Sequence, residues 1–163
     1  MPPDSWSGIN RNGVEVIRVN LCEHALSPWL DDADDVVLVE IAGIIETLPA
    51  RELGGGKFKI CCIPFSAYDI ERGDEVVCDN RGHFISVSKK SGDCGFRFRT
   101  DRDGDTIEKI VKVVEEYGCT IEFDPSGRLI AVNAPEGIDQ EMVSGVLATF
   151  EDSDYLTYET VRS

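Results

Sequence analysis

Cys22-Glu23-His24 places a thiol, a carboxylate and an imidazole within three residues, the densest chemistry in the chain. A cysteine nucleophile needs an imidazole as its base and a further group to orient that base. Cys22 could use His24, or the second histidine, His83, brought in by folding. The flanking residues match no protease or transferase signature. Zinc asks for four convergent Cys or His ligands, usually in close pairs. The chain has six cysteines, Cys22, Cys61, Cys62, Cys78, Cys94 and Cys119, yet no Cys-x-x-Cys and only two histidines. We therefore expect no metal and no cofactor.

Other candidate chemistry is weaker. Asp101-Arg102-Asp103-Gly104-Asp105 invites a calcium reading, but in a calcium loop starting at Asp101 the sixth place falls on Thr106 and the twelfth on Lys112. That loop type requires glycine and a bidentate acid there, so the segment reads as a polar loop capping a helix. Gly54-Gly55-Gly56-Lys57 is followed by Phe58, which makes a hairpin turn rather than a phosphate loop. These features argue against an enzyme. A thiol- or metal-dependent activity centred on Cys22 and His24 is the catalytic alternative.

Most of the cysteines sit inside apolar, strand-like runs. Residues 1–13 are rich in Pro, Ser, Gly and Asn and read as a flexible tail. Val14 to Leu21 alternates as a first strand, with a bulge at Ile17. Asp31 to Asp35 is an acidic loop. Val36 to Ile45 reads as one β-branched strand buried on both faces. Pro49 to Gly56 reads as a turn, Phe58 to Ile63 as a third strand, and Glu75 to Cys78 and His83 to Ser88 as two more. Cys61 and Cys62 then fall on opposite faces of a strand. Five short strands with Gly-rich turns predict a small β-rich domain over 14–90, a bent sheet or SH3-like barrel.

The second half, 91–163, reads as strand, helix, strand, strand, helix, strand, the order of a ferredoxin-like βαββαβ half-sandwich. Phe96 and Phe98 alternate with Arg97 and Arg99. Ile107, Ile110, Val111 and Val114 form one helical face, with Asp105 as its expected cap. Asp139 caps a second helix whose apolar face is Met142, Val143, Val146, Leu147 and Phe150. Asp124-Pro125-Ser126-Gly127 is a turn between two strands, and Tyr155 to Val161 closes the sheet. With Phe96 and Phe98 turned to the helices, the open face carries Arg97, Arg99, Thr120 and Glu122. It then offers no aromatic platform for RNA bases and is left to pack on the first half or on a protein. The fold class is therefore α+β.

The 163 residues carry a net charge of −15. Such a chain repels phosphate backbones and anionic membrane surfaces, so we expect no nucleic acid and no membrane as partner. A basic protein is favoured. No apolar run approaches the roughly 18 residues of a membrane span, and Met1 to Trp6 lacks the basic-then-apolar pattern of a secretory signal. The cysteines then read as buried free thiols in a reducing cytoplasm.

Ile63-Pro64-Phe65 and Gly73-Asp74-Glu75-Val76 carry a family likeness. Here the chain resembles a bacterial family, domain of unknown function 4265, with an Ile-Pro-Phe segment after a strand and a Gly-Asp-x-Val turn into the next. Ser91-Gly92 matches the pair that opens the family's second half. The resemblance spans most of residues 14–161, and it implies no established activity and no catalytic residue. A tryptophan that the resemblance implies before the glycine turn has no counterpart in Val36 to Ile45.

Taken together, these features predict a non-catalytic cytoplasmic binding protein, in its sharpest form an acidic immunity protein that binds and neutralises a basic toxin domain. Asp31, Asp32, Asp34 and Asp35, then Glu151, Asp152 and Asp154, are the expected partner-binding residues, by charge steering. The alternative is a small-molecule-sensing regulatory module using the ferredoxin-like half.

Overall fold

The computed structural model describes residues 7–9, 15–17 and 20–162. Ser7–Ile9 (β1) and Glu15–Ile17 (β2) pair antiparallel as a two-stranded ribbon. The rest of the expected tail, residues 1–6 and 10–13, lies outside the described residues, as do Val14, Arg18 and Val19. The expected first strand is thus seen as β2 and a separate strand, Asn20–Glu23 (β3).

Val36 to Ile45 is not one strand. Asp35–Ile41 (β4) and Ile44–Gly54 (β5) form a hairpin about Ala42-Gly43. Both turn residues have positive φ, 50° and 79°. This is the backbone of a two-residue turn normally signalled by Asn-Gly or Asp-Gly. Ala42 gives no such signal, and the apolar residues on either side make the run look continuous. Pro49 belongs to β5, so the turn expected from Pro49 shrinks to Gly55-Gly56 before Lys57–Ile60 (β6). Glu75–Cys78 (β7) and Phe84–Lys89 (β8) complete a sheet of order β3-β5-β6-β7-β8, with β4 also on β5. Leu38 of β4 bridges to His83, and its amide donates to the Gly82 carbonyl at 2.9 Å, so the sheet curls back on itself. Val37, Val39, Leu48, Ile60 and Val76 fill its interior, capped by Ala67 and Ile70.

The second half follows its periodicity closely. Cys94–Arg99 (β9), Gly104–Glu116 (α1), Thr120–Phe123 (β10), Leu129–Ala134 (β11), Gln140–Asp152 (α2) and Thr157–Thr160 (β12) succeed one another. Their sheet has the order β10-β11-β9-β12, antiparallel throughout. The cap of α1 is Asp103 rather than Asp105: its carboxylate accepts from the Thr106 amide at 2.9 Å. Asp105 falls in the first turn, where an acid still suits the helix dipole. Asp139 caps α2 as expected, accepting from the amides of Glu141 and Met142. Phe96 and Phe98 face the helices and pack with Ile110, Val114, Val143 and Leu147. Burying each such side chain is worth about 1.5–3 kcal/mol. Met142 is 50% exposed and drops out of the expected face. The fold is α+β, and no described helix is long and apolar enough to cross a membrane.

Candidate functional site

The strand expected over Phe58 to Ile63 ends at Ile60, and residues 61–72 leave the sheet as an irregular strap. A buried carboxylate holds it there. Glu46 lies on the face of β5 that also buries Leu48 and Ala50. It accepts from the amides of Phe65, Ser66 (2.9 Å) and Ala67 (2.8 Å). Three charge-assisted bonds to consecutive amides outcompete a ladder partner there. The strap then lies across the open face of the second sheet, where Ile63 and Phe65 pack on Leu129 and Ala131.

His24 closes this joint. Its Nε2 is 2.7 Å from Glu46 and its Nδ1 2.5 Å from Glu122 of β10, and the ring stacks on Phe65 at 4.1 Å. Glu122 also accepts from the Ile63 amide at 3.0 Å. All three side chains are fully buried. Burial disfavours the imidazolium, but the hydrogen bonds to Glu122 and Glu46 overcome it and push the His24 pKa well above the usual imidazole range. Burial pushes the Cys62 thiol up to about 12. Cys62 is therefore neutral at pH 7, and it is the carboxylates that hold the proton on His24. Glu46 in turn is lowered: burial opposes ionisation, and His24 and the strap amides outweigh it.

This geometry turns the sequence's densest chemistry into a structural pin. Cys22 is half-buried, and burial, aided by Glu46, raises its thiol to about 11. Its proposed base is doubly engaged and protonated. His83 lies before β8, at the far end of the strand order from β3. Among the described residues, no group of three His, Cys, Asp or Glu side chains is arranged to hold a metal ion.

A second carboxylate cluster joins the same two halves. Asp74 accepts from the amides of Glu71 (3.0 Å) and Ser91 (2.8 Å) and from Arg162 (3.0 Å). Arg72 pairs with Asp93 at 2.8 Å. Arg97 donates to the Ala67 carbonyl at 2.8 Å and to Glu159 at 3.0 Å, so it is tied to the strap and an acid, away from solvent. Glu71 is fully buried, and neither carboxylate oxygen has a hydrogen-bond partner in good geometry. Burial raises its pKa to about 7, against the relief offered by the Gly95 amide and by Arg162, 3.8 Å away.

The expected partner-binding residues form two groups. Asp31 and Asp32 sit on a single 3-10 turn, Leu30–Asp32, and are exposed. Asp34 accepts from the Glu52 amide and Asp35 from the Val36 amide, each at 2.8 Å. Arg51 donates to the Asp32 carbonyl at 3.1 Å. Glu151 and Asp152 end α2, and Glu151 accepts from the Tyr158 amide at 3.3 Å. Asp154 follows with φ 59°, its carbonyl held by Arg102. The first group spans the 3-10 turn and the start of β4, and the second the end of α2 and the turn after it.

A family model, described as Domain of unknown function (DUF4265), matches residues 46–158. The chain belongs to this family. No curated protein matches it. A crystal structure of a hypothetical protein from Neisseria gonorrhoeae is similar, with a TM-score of 0.65 and 20% identity, covering 78% of this chain and 94% of that one. At that identity the likeness concerns the fold alone. The segments that carry the family likeness are built around the two carboxylate clusters. Ile63-Pro64-Phe65 delivers its amides and ring to Glu122, Glu46 and His24, and Gly73-Asp74 pins Ser91. At Gly73, φ is 81° and a Cβ would lie 3.1 Å from the Ser91 Cβ, so glycine is needed for that contact.

Glu46, Glu71 and Asp74 escape a functional reading of the sequence. Glu46 leaves one trace, a carboxylate in phase with the apolar side chains of its strand.

Proposed function

We propose that the protein is a non-catalytic cytoplasmic binding protein of the immunity type, which binds a basic toxin domain and occludes its active site. The observation that carries this reading is the surface of segment 26–36. Leu26, Leu30 and Val36 are 70%, 39% and 45% exposed, in the same short segment as Asp31, Asp32, Asp34 and Asp35. Apolar anchors inside a charged rim are the usual anatomy of a protein interface. Asp34 and Arg51 tie the segment to β5, so its carboxylates are presented without a large ordering cost. We read the curled first sheet as an SH3-like barrel over 14–90, on the strength of the Leu38–His83 bridge. We read 91–163 as a ferredoxin-like half-sandwich, on the strength of the β10-β11-β9-β12 order with both helices on one face.

The test is association kinetics of a basic partner captured from native lysate with wild type and with the Asp31→Asn/Asp32→Asn variant; the Arg51 bond uses the Asp32 main-chain carbonyl, so both substitutions leave it in place. Steering predicts an association rate at least several-fold slower for the variant at low salt and a smaller gap at high salt. Equal rates at both salt concentrations contradict the reading.

A second reading, a small-molecule regulatory module, is favoured by one observation: a cavity of about 590 Å³ between α2 and the β9–β12 pair. A saturable thermal shift with a metabolite panel supports it, and a flat response across the panel counts against it.

A further inference from the structure

The cavity beside α2 is one half of a longer cleft. Cys94 and Phe96 of β9 and Gly145 and Ala148 of α2 give it an apolar wall, and Asp93, Glu141 and Arg162 are the charged groups that line it. It opens there because α2 packs on the sheet through Val143 and Leu147, while the neighbouring turn carries small residues. A Cβ added at Gly145 would meet nothing within 4 Å. A second cavity, of about 670 Å³, shares Gly92, Asp93 and Arg162 with the first.

The second cavity is cationic. Lys59, Arg72, Lys89, Lys90 and Arg162 line it, against Glu75, Asp93 and Glu136. In a chain of net charge −15 with 16 Lys and Arg, five of those cations meet in one cleft. Arg72 pairs with Asp93, Arg162 with Asp74, and Lys89 lies 3.9 Å from Glu75. Lys59 and Lys90 have no ion pair among the described residues, and both are exposed. The junction thus offers a chamber of small-molecule size, apolar on the side of Phe96, Gly145 and Ala148, that leads past Arg162 to a mouth with two uncommitted ammonium groups.

We infer that this cleft binds an amphipathic organic anion, with its apolar body in the chamber beside Gly145 and its anionic head at Lys59, Lys90 and Arg162. The ligand class deepens the regulatory reading above and shares its cavity. It also stands apart from the acidic surface of segment 26–36, so one chain can carry both an acidic protein-docking surface and a cationic small-molecule cleft. The polar linker Lys90-Ser91-Gly92 between the two halves forms part of the wall, so a bound anion contacts both halves at once.

The probe is 1-anilinonaphthalene-8-sulfonate, an aromatic body with a sulfonate head, titrated into the full chain and followed by its fluorescence. Two variants separate the two ends of the site. Gly145→Leu places a side chain in the chamber and replaces a helix-interior glycine, so it is expected to fold at least as well as wild type. Lys59→Ala/Lys90→Ala removes the uncommitted cations at exposed positions. Wild type is expected to bind one equivalent, Gly145→Leu to weaken binding at least tenfold, and the double variant to weaken it about fivefold at low salt. Decanoate is expected to displace the probe, and decanol and inorganic phosphate to leave it in place. No saturable binding, or binding that both variants leave unchanged, overturns the inference. Displacement by phosphate alone overturns the apolar part. If the probe behaves as expected and no metabolite in the panel shifts stability, the site stands and the regulatory reading falls.

Discussion

Replacing His24 by phenylalanine tests the joint between the two halves. Phenylalanine keeps a flat ring to stack on Phe65 and removes the cation that Glu46 and Glu122 share. The amides of Phe65, Ser66, Ala67 and Ile63 still solvate the carboxylates, but two buried negative charges lose their common partner. Breaking a buried, hydrogen-bonded ion pair costs roughly 3–5 kcal/mol. A chain of this length loses about 2–4 °C of Tm per kcal/mol, so His24→Phe is expected to melt roughly 6–20 °C lower at pH 7. The pH profile adds a sign. Folding raises the His24 pKa well above its ordinary value of 6.5. Its stabilisation is therefore complete below pH 6.5 and is lost progressively as pH rises above it, at up to about 1.4 kcal/mol per pH unit. Thermal unfolding followed by circular dichroism between pH 7 and 9 reads both effects. A variant that melts within 2 °C of wild type, or a wild type whose stability is flat over that range, refutes the reasoning.

Glu71 should show the same sign in a lower window. Its pKa rises from 4.5 to about 7, so its contribution is present below pH 4.5 and lost as pH rises through 7. Glu71→Gln is expected to match wild type near pH 5 and to exceed it by on the order of 3 kcal/mol at pH 8, and urea unfolding at the two pH values measures the gap. Gly95→Ala would set a Cβ 2.5 Å from a Glu71 carboxylate oxygen and 3.0 Å from the Val161 side chain, both buried. It is expected to cost about 1–3 kcal/mol, read as a lower denaturation midpoint. All six cysteines are free, and burial raises the thiols of Cys22 and Cys94, the two that are only partly buried, to about 11. Both are therefore expected to react with a disulfide reagent at pH 7 more slowly than a free peptide thiol, and labelling at the peptide rate would refute the assignment.

The second half was legible because its signals are local. Ile107, Ile110 and Val114 announce α1, Asp139 announces α2, and Asp124 to Gly127 announces the turn, each within a window of a few residues. The first half hides its turning points. Ala42-Gly43 adopts a turn that its composition does not advertise, and Pro49 sits inside a strand because its carbonyl, not its missing N–H, is the group that pairs, accepting from Cys61 at 2.8 Å. The joint itself could not be read from spacing. His24 meets Glu46 and Glu122 across 22 and 98 residues, and the Glu46 amide partners exist only because the strap has already left the sheet. The sequence marks Cys22 and His24 as chemistry, and tertiary structure converts them to packing.

The most direct test of the binding account is capture from native lysate with wild type and the Asp31→Asn/Asp32→Asn variant side by side, washed at low and then high salt. The account predicts one stoichiometric basic protein held by wild type at low salt, released as salt rises, and held less well by the variant. Equal capture by both chains at every salt concentration, or no protein partner at all, would contradict it.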